Sequence, residues 1–257
     1  MKHFLQSSAL AVALAMSTNN VSAHSEDITC DADFAYNIAI QKDGLSFSSQ
    51  DQQKVLITSS QELFLDGNKQ NLNAKQQALL QEYNKQVREL LPLASDLAEE
   101  ASAIAIDAVA SVTSALMQDK PQKAEEFMTK VEAISAGLKQ HISDSHLRPD
   151  GIAEYIESSD FETEFEALVG EAVKGFLEDN LGEMIAASMS GNEEQVKAFE
   201  QRMEKFGQDM EQKFEARAEA LEKQAEELCQ LVESIDRKED EFVEAFAKFD
   251  DFQLIVE

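Results

Sequence analysis

Apolar residues recur every three or four positions along the final part of this chain, and this spacing constrains its fold more than any other feature. The seam comprises Val196, Phe199, Met203, Phe206, Met210, Phe214, Ala218, Leu221, Ala225, Leu228, Val232 and Ile235. Such spacing is typical of a helix that packs along a coiled-coil-like seam. At 1.5 Å per residue the helix would be about 60 Å long. A helix of this length needs other long helices to cover its apolar face.

A second seam follows Asn73, which we expect to cap a helix. Its members are again three or four positions apart: Leu80, Tyr83, Val87, Leu90, Ala94, Leu97, Ala101, Ile104 and Ala108. Pro92 lies on the outward side of this run, where it predicts a kink and not an end of the helix. Two further helical stretches, about 122–140 and 160–189, complete a predicted bundle of long helices over residues 73–236.

Residues 24–72 show the alternation of β-strands. Strands are predicted at 34–40, 45–47, 54–58 and 62–65, with a last short strand around 70–72. Asp66-Gly67-Asn68 is a strong hairpin signal. This meander is too small to hold a core of its own, so its apolar face should pack on the helices. The sequence therefore predicts an α+β, mostly α fold, in which an N-terminal antiparallel β meander packs on a bundle of long, coiled-coil-like helices.

Two segments do not follow these patterns. Residues 141–151, which include Arg148-Pro149-Asp150-Gly151, predict a loop. Residues 237–257 form an acidic, Phe-rich C-terminal segment with phenylalanines at helical spacing: Phe242, Phe246, Phe249 and Phe252. We expect this stripe to be more open than the long seams, because no later element is left to cover it.

The first 23 residues read as a cleaved secretory signal peptide. Lys2 and His3 precede the apolar run 9–16, and Val21-Ser22-Ala23 is a small-x-small cleavage site, so cleavage is expected after Ala23. The apolar run is about half the length that spans a bilayer, and no later segment approaches that length. These features predict a periplasmic protein that is not an integral membrane protein.

The chain is strongly acidic, with 50 Asp and Glu against 22 Lys and Arg and a formal net charge of −28. Nucleic-acid binding relies on basic side chains that displace counterions from phosphates, so a nucleic-acid partner is excluded. Anionic lipid surfaces would be repelled for the same reason. Basic peptides, basic protein surfaces and divalent ions would be attracted, although high charge also serves solubility alone.

The two cysteines, Cys30 and Cys229, both lie in the mature chain. Exported proteins retain disulfides, so we expect these two residues to pair and to close a loop of about two hundred residues. A redox-active pair is the alternative. Neither cysteine lies in a Cys-x-x-Cys motif or has a basic neighbour in the sequence, which favours the structural disulfide.

One loop carries candidate metal ligands. His141 and His146 flank Asp144, and imidazoles with a carboxylate can bind zinc or copper. The spacing is not a standard metal pattern, so a polar turn between helices is favoured over a metal site. An N-terminal His24, exposed by cleavage, could also chelate copper with a second histidine. No catalytic residue and no cofactor-binding residue is predicted.

A short set of residues resembles the pattern of a known protein family. The stretch 62–68 (Glu-Leu-Phe-Leu-Asp-Gly-Asn), followed by Leu72-Asn73-Ala74, Gln77 and Tyr83, resembles the YggN-like family of uncharacterised proteobacterial periplasmic proteins. The resemblance implies a signal peptide, a cysteine near the mature start, a short β region and a long helical remainder. That family has no established activity or cofactor, so the resemblance assigns no functional residue. The Phe-rich end beyond about residue 236 departs from it.

Long seams without a catalytic constellation favour a non-enzymatic envelope interaction protein or chaperone-like scaffold. The Phe/Met stripe from Phe199 to Phe214 suits varied protein partners. The same stripe could instead be buried against the first long helix or against a second copy, which would give a homo-oligomer. Two alternatives remain open: a metal-dependent or carboxylate-based hydrolase, and low-affinity buffering of cations or cationic peptides.

Overall fold

A computed structural model describes residues 33–50, 52–116, 121–158 and 193–256, together with the single positions 161, 163 and 170. The signal peptide at 1–23, His24 and Cys30 lie outside these residues, as does nearly all of the predicted helical stretch 160–189. The described part confirms the predicted fold class: an antiparallel sheet near the N-terminus packs on long helices. Among the described residues, no helix has the length and apolar character needed to cross a bilayer.

The elements follow a simple order. The described part opens with six strands: β1 (Asp33–Phe34), β2 (Asn37–Ile40), β3 (Gly44–Ser49), β4 (Gln52–Thr58), β5 (Leu63–Leu65) and β6 (Asn68–Lys69). The next elements are α1 (Ala74–Leu116), α2 (Pro121–Lys139), β7 (Ile142–Ser143), β8 (His146–Leu147) and α3 (Pro149–Ile156). The last are α4 (Glu193–Ala245), a 3₁₀ helix (Ala247–Phe252) and β9 (Ile255–Val256).

The sheet has seven strands in the order β6-β5-β4-β3-β2-β8-β7, and its adjacent strands are antiparallel. The predicted hairpin at Asp66-Gly67 is confirmed, since both residues have positive φ and place Leu65 opposite Asn68. This two-residue turn starts β6 at once. The predicted last strand at 70–72 is therefore wrong, and the strand is Asn68–Lys69 instead.

The predicted loop at 141–151 is also wrong. Its first part is the β7–β8 hairpin, which adds to the free edge of β2 through Ile38 and Leu147. The Ser143 hydroxyl closes the turn by accepting the N–H groups of Ser145 and His146. Leu147 is buried in the main core, so a two-residue strand is fixed by tertiary packing that periodicity does not reveal.

Helix α1 begins as the sequence predicts. The Asn73 side chain accepts the N–H of Gln76 at 3.0 Å, and the Gln76 side chain accepts the N–H of Asn73 at 2.8 Å. This reciprocal capping box satisfies two backbone donors at the helix start. Pro92 is exposed inside the helix, which continues to Leu116.

Helices α1 and α4 run antiparallel along their length. Gln86 bonds to Ser234 near the sheet, and Arg217 reaches Glu100 and Asp107 farther along. The main core lies at the sheet end of this pair. There the apolar faces of β2 to β5 meet three groups of buried side chains: Leu80, Tyr83, Val87 and Leu90 from α1, Val232, Ile235 and Phe242 from α4, and Phe249 and Leu254 beyond it.

The C-terminal segment corrects a further expectation. Helix α4 does not end near residue 236 but continues to Ala245, and Phe242 and Phe249 are fully buried. Their rings meet edge to face with centroids 5.0 Å apart. The chain turns back after α4 and lays its own 3₁₀ helix over the core, and β9 then pairs with β1. The prediction of an open Phe stripe is therefore wrong, because Phe242 and Phe249 pack against each other inside the core.

Candidate functional site

A buried carboxylate lies where α1, α4 and the C-terminus meet. Glu239 is fully buried, and its Oε1 accepts the Tyr83 hydroxyl at 2.5 Å and the N–H of Leu254 at 2.8 Å. Its Oε2 accepts the N–H of Ile255 at 3.0 Å. Two successive backbone N–H groups thus converge on one carboxyl group, an arrangement that binds anions. Glu239 ties the C-terminal strand to the helical core.

Burial and hydrogen bonding act on Glu239 in opposite directions. Burial raises the pKa of Glu239, while the Leu254, Tyr83 and Ile255 bonds lower it and nearby Asp236 raises it again. The balance leaves the pKa at about 7, because removing the charge from water outweighs the three donors. The carboxyl group of Glu239 therefore changes charge near neutral pH.

Two tyrosines next to Glu239 respond to the same environment. Burial, and then the charge and hydrogen bond of Glu239, hold the pKa of Tyr83 well above its ordinary value. Burial and nearby acids, Glu239 among them, also raise the pKa of Tyr36. Both phenols consequently stay neutral hydrogen-bond donors. Tyr36 uses its hydroxyl to bond the carbonyl of Asp251 at 3.2 Å.

Sequence reasoning missed Glu239, although the sequence holds a signal for it. Glu239 follows Ile235 by four positions and precedes Phe242 by three, so it occupies the register of the apolar seam. An acid on the buried face of a helix needs donors, because an unpaired buried charge is very costly. The predicted seam ends at Ile235, and the residues beyond it are predicted to form a separate acidic segment, so Glu239 falls outside the seam.

The seam of α4 changes character along its length. Near the sheet, Val232 and Ile235 are buried. Farther from the sheet, the seam residues of the first half of α4 that the structure describes stay partly exposed: Val196, Met203, Phe206, Met210 and Phe214. The polar flanks of this stretch are exposed. Met203, Phe206, Met210 and Phe214 belong to the predicted Phe/Met stripe. The side chain of Phe199, the first residue of that stripe, lies outside the described part.

Arg217 supports the outer half of the α1–α4 pair. Its guanidinium bonds Glu100 at 2.9 Å and also pairs with Asp107, two partly exposed carboxylates that lie two turns apart on α1. These two bonds raise the pKa of Arg217, so its charge is permanent. A smaller apolar cluster of Phe127, Val131, Ile106, Val109 and Ile134 holds α2 to the same half of α1.

The candidate metal residues are placed in the β7–β8 hairpin and at its start. His146 Nδ1 lies 2.7 Å from the Ser143 hydroxyl, and its Nε2 lies 3.0 Å from the Gln140 carbonyl. Since a carbonyl only accepts, Nε2 carries the proton, and both ring nitrogens are engaged with the protein. Asp144 is in the turn and borders a shallow groove.

His141 has a different environment from His146. Its ring packs against Gly151 and lies 6.2 Å from the Tyr155 ring. Burial, followed by the charge of Arg148, lowers the pKa of His141. Its buried Nδ1 has no hydrogen-bond partner in the described part of the chain. The structure describes no group of three or more His, Cys, Asp or Glu side chains that could hold a metal ion.

Two shallow grooves are polar. One, of about 340 Å³, lies between α1 and the β7–β8 hairpin and is bordered by Ser95, Glu99, Lys139 and Asp144. The other, of about 430 Å³, lies beside β5 and the start of α1 and is rich in amide side chains. Its Gln77 side chain bonds the carbonyl of Gln61, a residue with positive φ, so this amide fixes the backbone.

Cys229 is partly buried in α4. Cys30 lies outside the described residues, so the Cys30–Cys229 pairing stays a prediction.

Comparison with known proteins gives one match. A family model described as a protein of unknown function (DUF2884) matches residues 30–255, which is nearly all of the chain beyond the predicted signal peptide. Neither a curated protein nor a solved structure matches the chain.

Proposed function

Because the chain belongs to the DUF2884 family of proteins of unknown function, we propose from its structure that it is a non-enzymatic, chaperone-like interaction protein of the cell envelope. Within that proposal it is a YggN-like protein of the proteobacterial periplasm, exported by cleavage after Ala23. Its working surface is the outer seam of α4, defined as Met203, Phe206, Met210 and Phe214.

The observation that carries this proposal is the contrast along one helix. The same apolar register that is buried at Val232 and Ile235 is partly exposed along the outer seam. Side chains of this size that stay partly exposed at regular spacing favour a surface that takes up another polypeptide. A helix that served only to cover the core would not need apolar residues at these regular positions past the end of the sheet.

The different lengths of α1 and α4 leave the outer seam accessible to a partner. Lys213 Nζ donates to the Ser111 hydroxyl at 3.1 Å, which marks where α4 passes the outer part of α1. From that point, α1 continues for about 8 Å to Leu116, whereas α4 continues for about 30 Å to Glu193. Within the described residues, α4 therefore extends past the end of α1, and the outer seam lies on that extension and at its base.

The chemistry of the seam indicates the class of partner. Met and Phe adapt to varied apolar shapes, which favours tolerance over strict selection. Between Met203 and Phe214 the flanks carry three acids, Glu204, Asp209 and Glu211, against the two bases Lys205 and Lys213, so the flanks themselves are nearly neutral. Apolar segments, such as stretches of unfolded exported proteins, would gain apolar burial, and basic residues next to them would be attracted at moderate salt by the net charge of −28 on the whole chain.

A binding experiment with a defined probe tests the proposal. A fluorescent peptide of alternating Leu and Lys is titrated with the mature, oxidised protein and with the double variant Phe206→Ser/Met210→Ser. We expect binding to weaken at least about tenfold in the variant, as lost apolar burial predicts. The control is Gln208→Ser, on the exposed opposite face of the same turn. Equal affinities of all three proteins would reject the outer seam as the binding surface.

Crosslinking in living cells tests the same surface and the location together. A photoreactive residue at position 206 should trap envelope proteins in the periplasmic fraction, whereas one at position 208 should trap far fewer. The mass of the recovered protein should match a chain that begins at His24. A protein that keeps residues 1–23, or that fractionates with the cytoplasm, contradicts the proposed export.

A further inference from the structure

The last eleven residues that the structure describes, 246–256, form a C-terminal strap across the core. Phe249 and Leu254 in the strap are fully buried. One side of the strap is held by residues 33–35, since Ala35 donates its N–H to the Leu254 carbonyl at 2.9 Å and β9 pairs with β1. The other side is held by Glu239, which accepts the two successive N–H groups at Leu254 and Ile255.

We propose that the C-terminal strap is a pH-sensitive closure: it stays docked on Glu239 while that carboxyl group is neutral and opens locally when the carboxylate carries its charge. The opening exposes Glu239 to water and frees the edge of β1. This device is independent of the proposed partner binding, because the strap lies at the sheet end of the molecule and the outer seam at the other.

Every contact of the docked strap survives protonation. When Glu239 is neutral, Oε1 can donate its proton to the Tyr83 hydroxyl oxygen, because a phenol both donates and accepts, and the Tyr83 O–H then gives up its own bond to Oε1. Oε1 and Oε2 each still accept one backbone N–H from the strap. Protonation therefore removes the charge from the buried site without leaving the Leu254 or Ile255 amide unsatisfied.

The groups that face Glu239 do not offset its charge. They are Tyr83 on α1, Asp236 one turn earlier on α4, and Tyr36 on the segment between β1 and β2. Asp251 of the strap itself is near Tyr36. None of these is a cation. Burial accordingly raises the pKa of Glu239 to about 7, whereas an open strap would return it to the ordinary range for Glu.

The difference between the closed and open pKa fixes the size of the effect. Opening becomes more favourable by about a hundredfold between pH 5 and pH 8, since the open state alone releases the proton readily over that interval. The change begins above the ordinary Glu value and levels off above the folded value. The sign is therefore definite: acidification closes the strap, and alkaline conditions loosen it.

Amide hydrogen exchange measures strap opening directly. Protection factors, corrected for the intrinsic pH dependence of exchange, are followed at Leu254 and Ile255 from pH 5 to pH 8 in the mature, oxidised protein. We expect them to fall by about a hundredfold. The amides of Phe47 and Val55, paired in the middle of the sheet, open only on global unfolding and should stay more strongly protected than the strap at every pH. Constant protection at the strap, or equal protection at all four amides, overturns the proposal.

The variant Glu239→Gln separates charge from shape. Gln cannot ionise, and it offers one acceptor where Glu offers two, so the strap should be less protected but independent of pH. A variant that retains the wild-type pH profile overturns the assignment to Glu239. If this variant does not fold, the carboxyl carbon of Glu239 can be followed by NMR in the native chain. A midpoint in the ordinary Glu range is then the overturning result.

Discussion

The hydroxyl of Tyr83 lies 2.5 Å from Oε1 of Glu239 and joins α1 to α4 inside the core. Both side chains are fully buried. The Tyr83 ring also packs edge to face on Phe47 of the sheet and on Phe249 of the C-terminal strap, with centroids about 6 Å apart in each pair. One side chain thus connects the sheet, both long helices and the chain end, and its hydroxyl is aimed at the one buried carboxylate among the described residues.

Replacing Tyr83 with Phe removes this donor and leaves the ring in place. We expect the free energy of unfolding to fall by about 1.5–3 kcal/mol at pH 8, where Glu239 is charged, and by about 0.5–1.5 kcal/mol at pH 5, where it is neutral. Urea unfolding at the two pH values measures the difference. Tyr36→Phe is the control, because its hydroxyl bonds Asp251 at an exposed site. Equal losses at both pH values would contradict the charged partner.

Glu239 should also shape the pH dependence of global stability. The pKa of Glu239 is raised to about 7 in the folded chain, so its contribution is complete below about pH 4.5 and is lost as the pH rises through 7. The wild-type advantage over Glu239→Gln should therefore shrink by about 2–3 kcal/mol between pH 5 and pH 8. Using the variant as reference removes the shared repulsion among the other acids. A constant difference would be incompatible with the raised pKa.

The sequence predicted correctly those elements that are determined by residues close together in the chain. Asp66-Gly67 produces a hairpin because its positive-φ turn depends on two residues alone. Asn73 starts α1 because its side chain and that of Gln76 cap each other. The long seams predicted two helices because a period of three to four residues persists for many turns. These features need no knowledge of the rest of the fold.

The features that were missed depend on distant parts of the chain. The β7–β8 hairpin has two-residue strands, too short for periodicity, and exists because Leu147 pairs with Ile38 more than a hundred positions earlier. Glu239 is buried only because the C-terminal strap returns over it and supplies two N–H donors. An acidic residue among many others gives no sign of this until the strap is placed.

Two glycines should respond to alanine with opposite signs. Gly44 begins β3 with φ +155°, and an added Cβ would overlap the carbonyl oxygen of Ile57 on the paired strand. Gly44→Ala should cost about 2 kcal/mol or more, because neither backbone can yield. Gly207 lies within α4 in open space, so Gly207→Ala should add up to about 1 kcal/mol. Thermal unfolding of both variants checks the signs, and a loss at both sites would contradict the open environment of Gly207.

The buried contact between Phe242 and Phe249 predicts that truncating Phe242 lowers the stability of the fold more than truncating Phe252 does. Phe242 is fully buried and touches the rings of Phe246 and Phe249, whereas Phe252 is only partly buried. Phe242→Ala should lower the free energy of unfolding by about 3–5 kcal/mol, because it leaves a cavity in the core. Phe252→Ala is the matched control and should cost clearly less. Denaturant unfolding compares them, and similar losses would mean that the strap does not cover Phe242.

The first described strand lies near the C-terminal part of α4, which also carries Cys229. Asp33 pairs with Val256 of β9, and the neighbouring Ile255 bonds Glu239, ten positions after Cys229 on α4. This placement supports the proposed Cys30–Cys229 bond.

That bond predicts the behaviour of Cys229→Ser. Opening a loop of about two hundred residues should lower the free energy of unfolding by up to about 5 kcal/mol, because the unfolded chain gains the most entropy when a long loop is released. Wild-type protein in reductant should then match the variant, and reductant should leave the variant unchanged. Peptide mass mapping without reduction should join the peptides that carry Cys30 and Cys229. Two titratable thiols in the oxidised, exported protein would contradict the bond, and they would also remove one tether from the strand that holds the C-terminal strap.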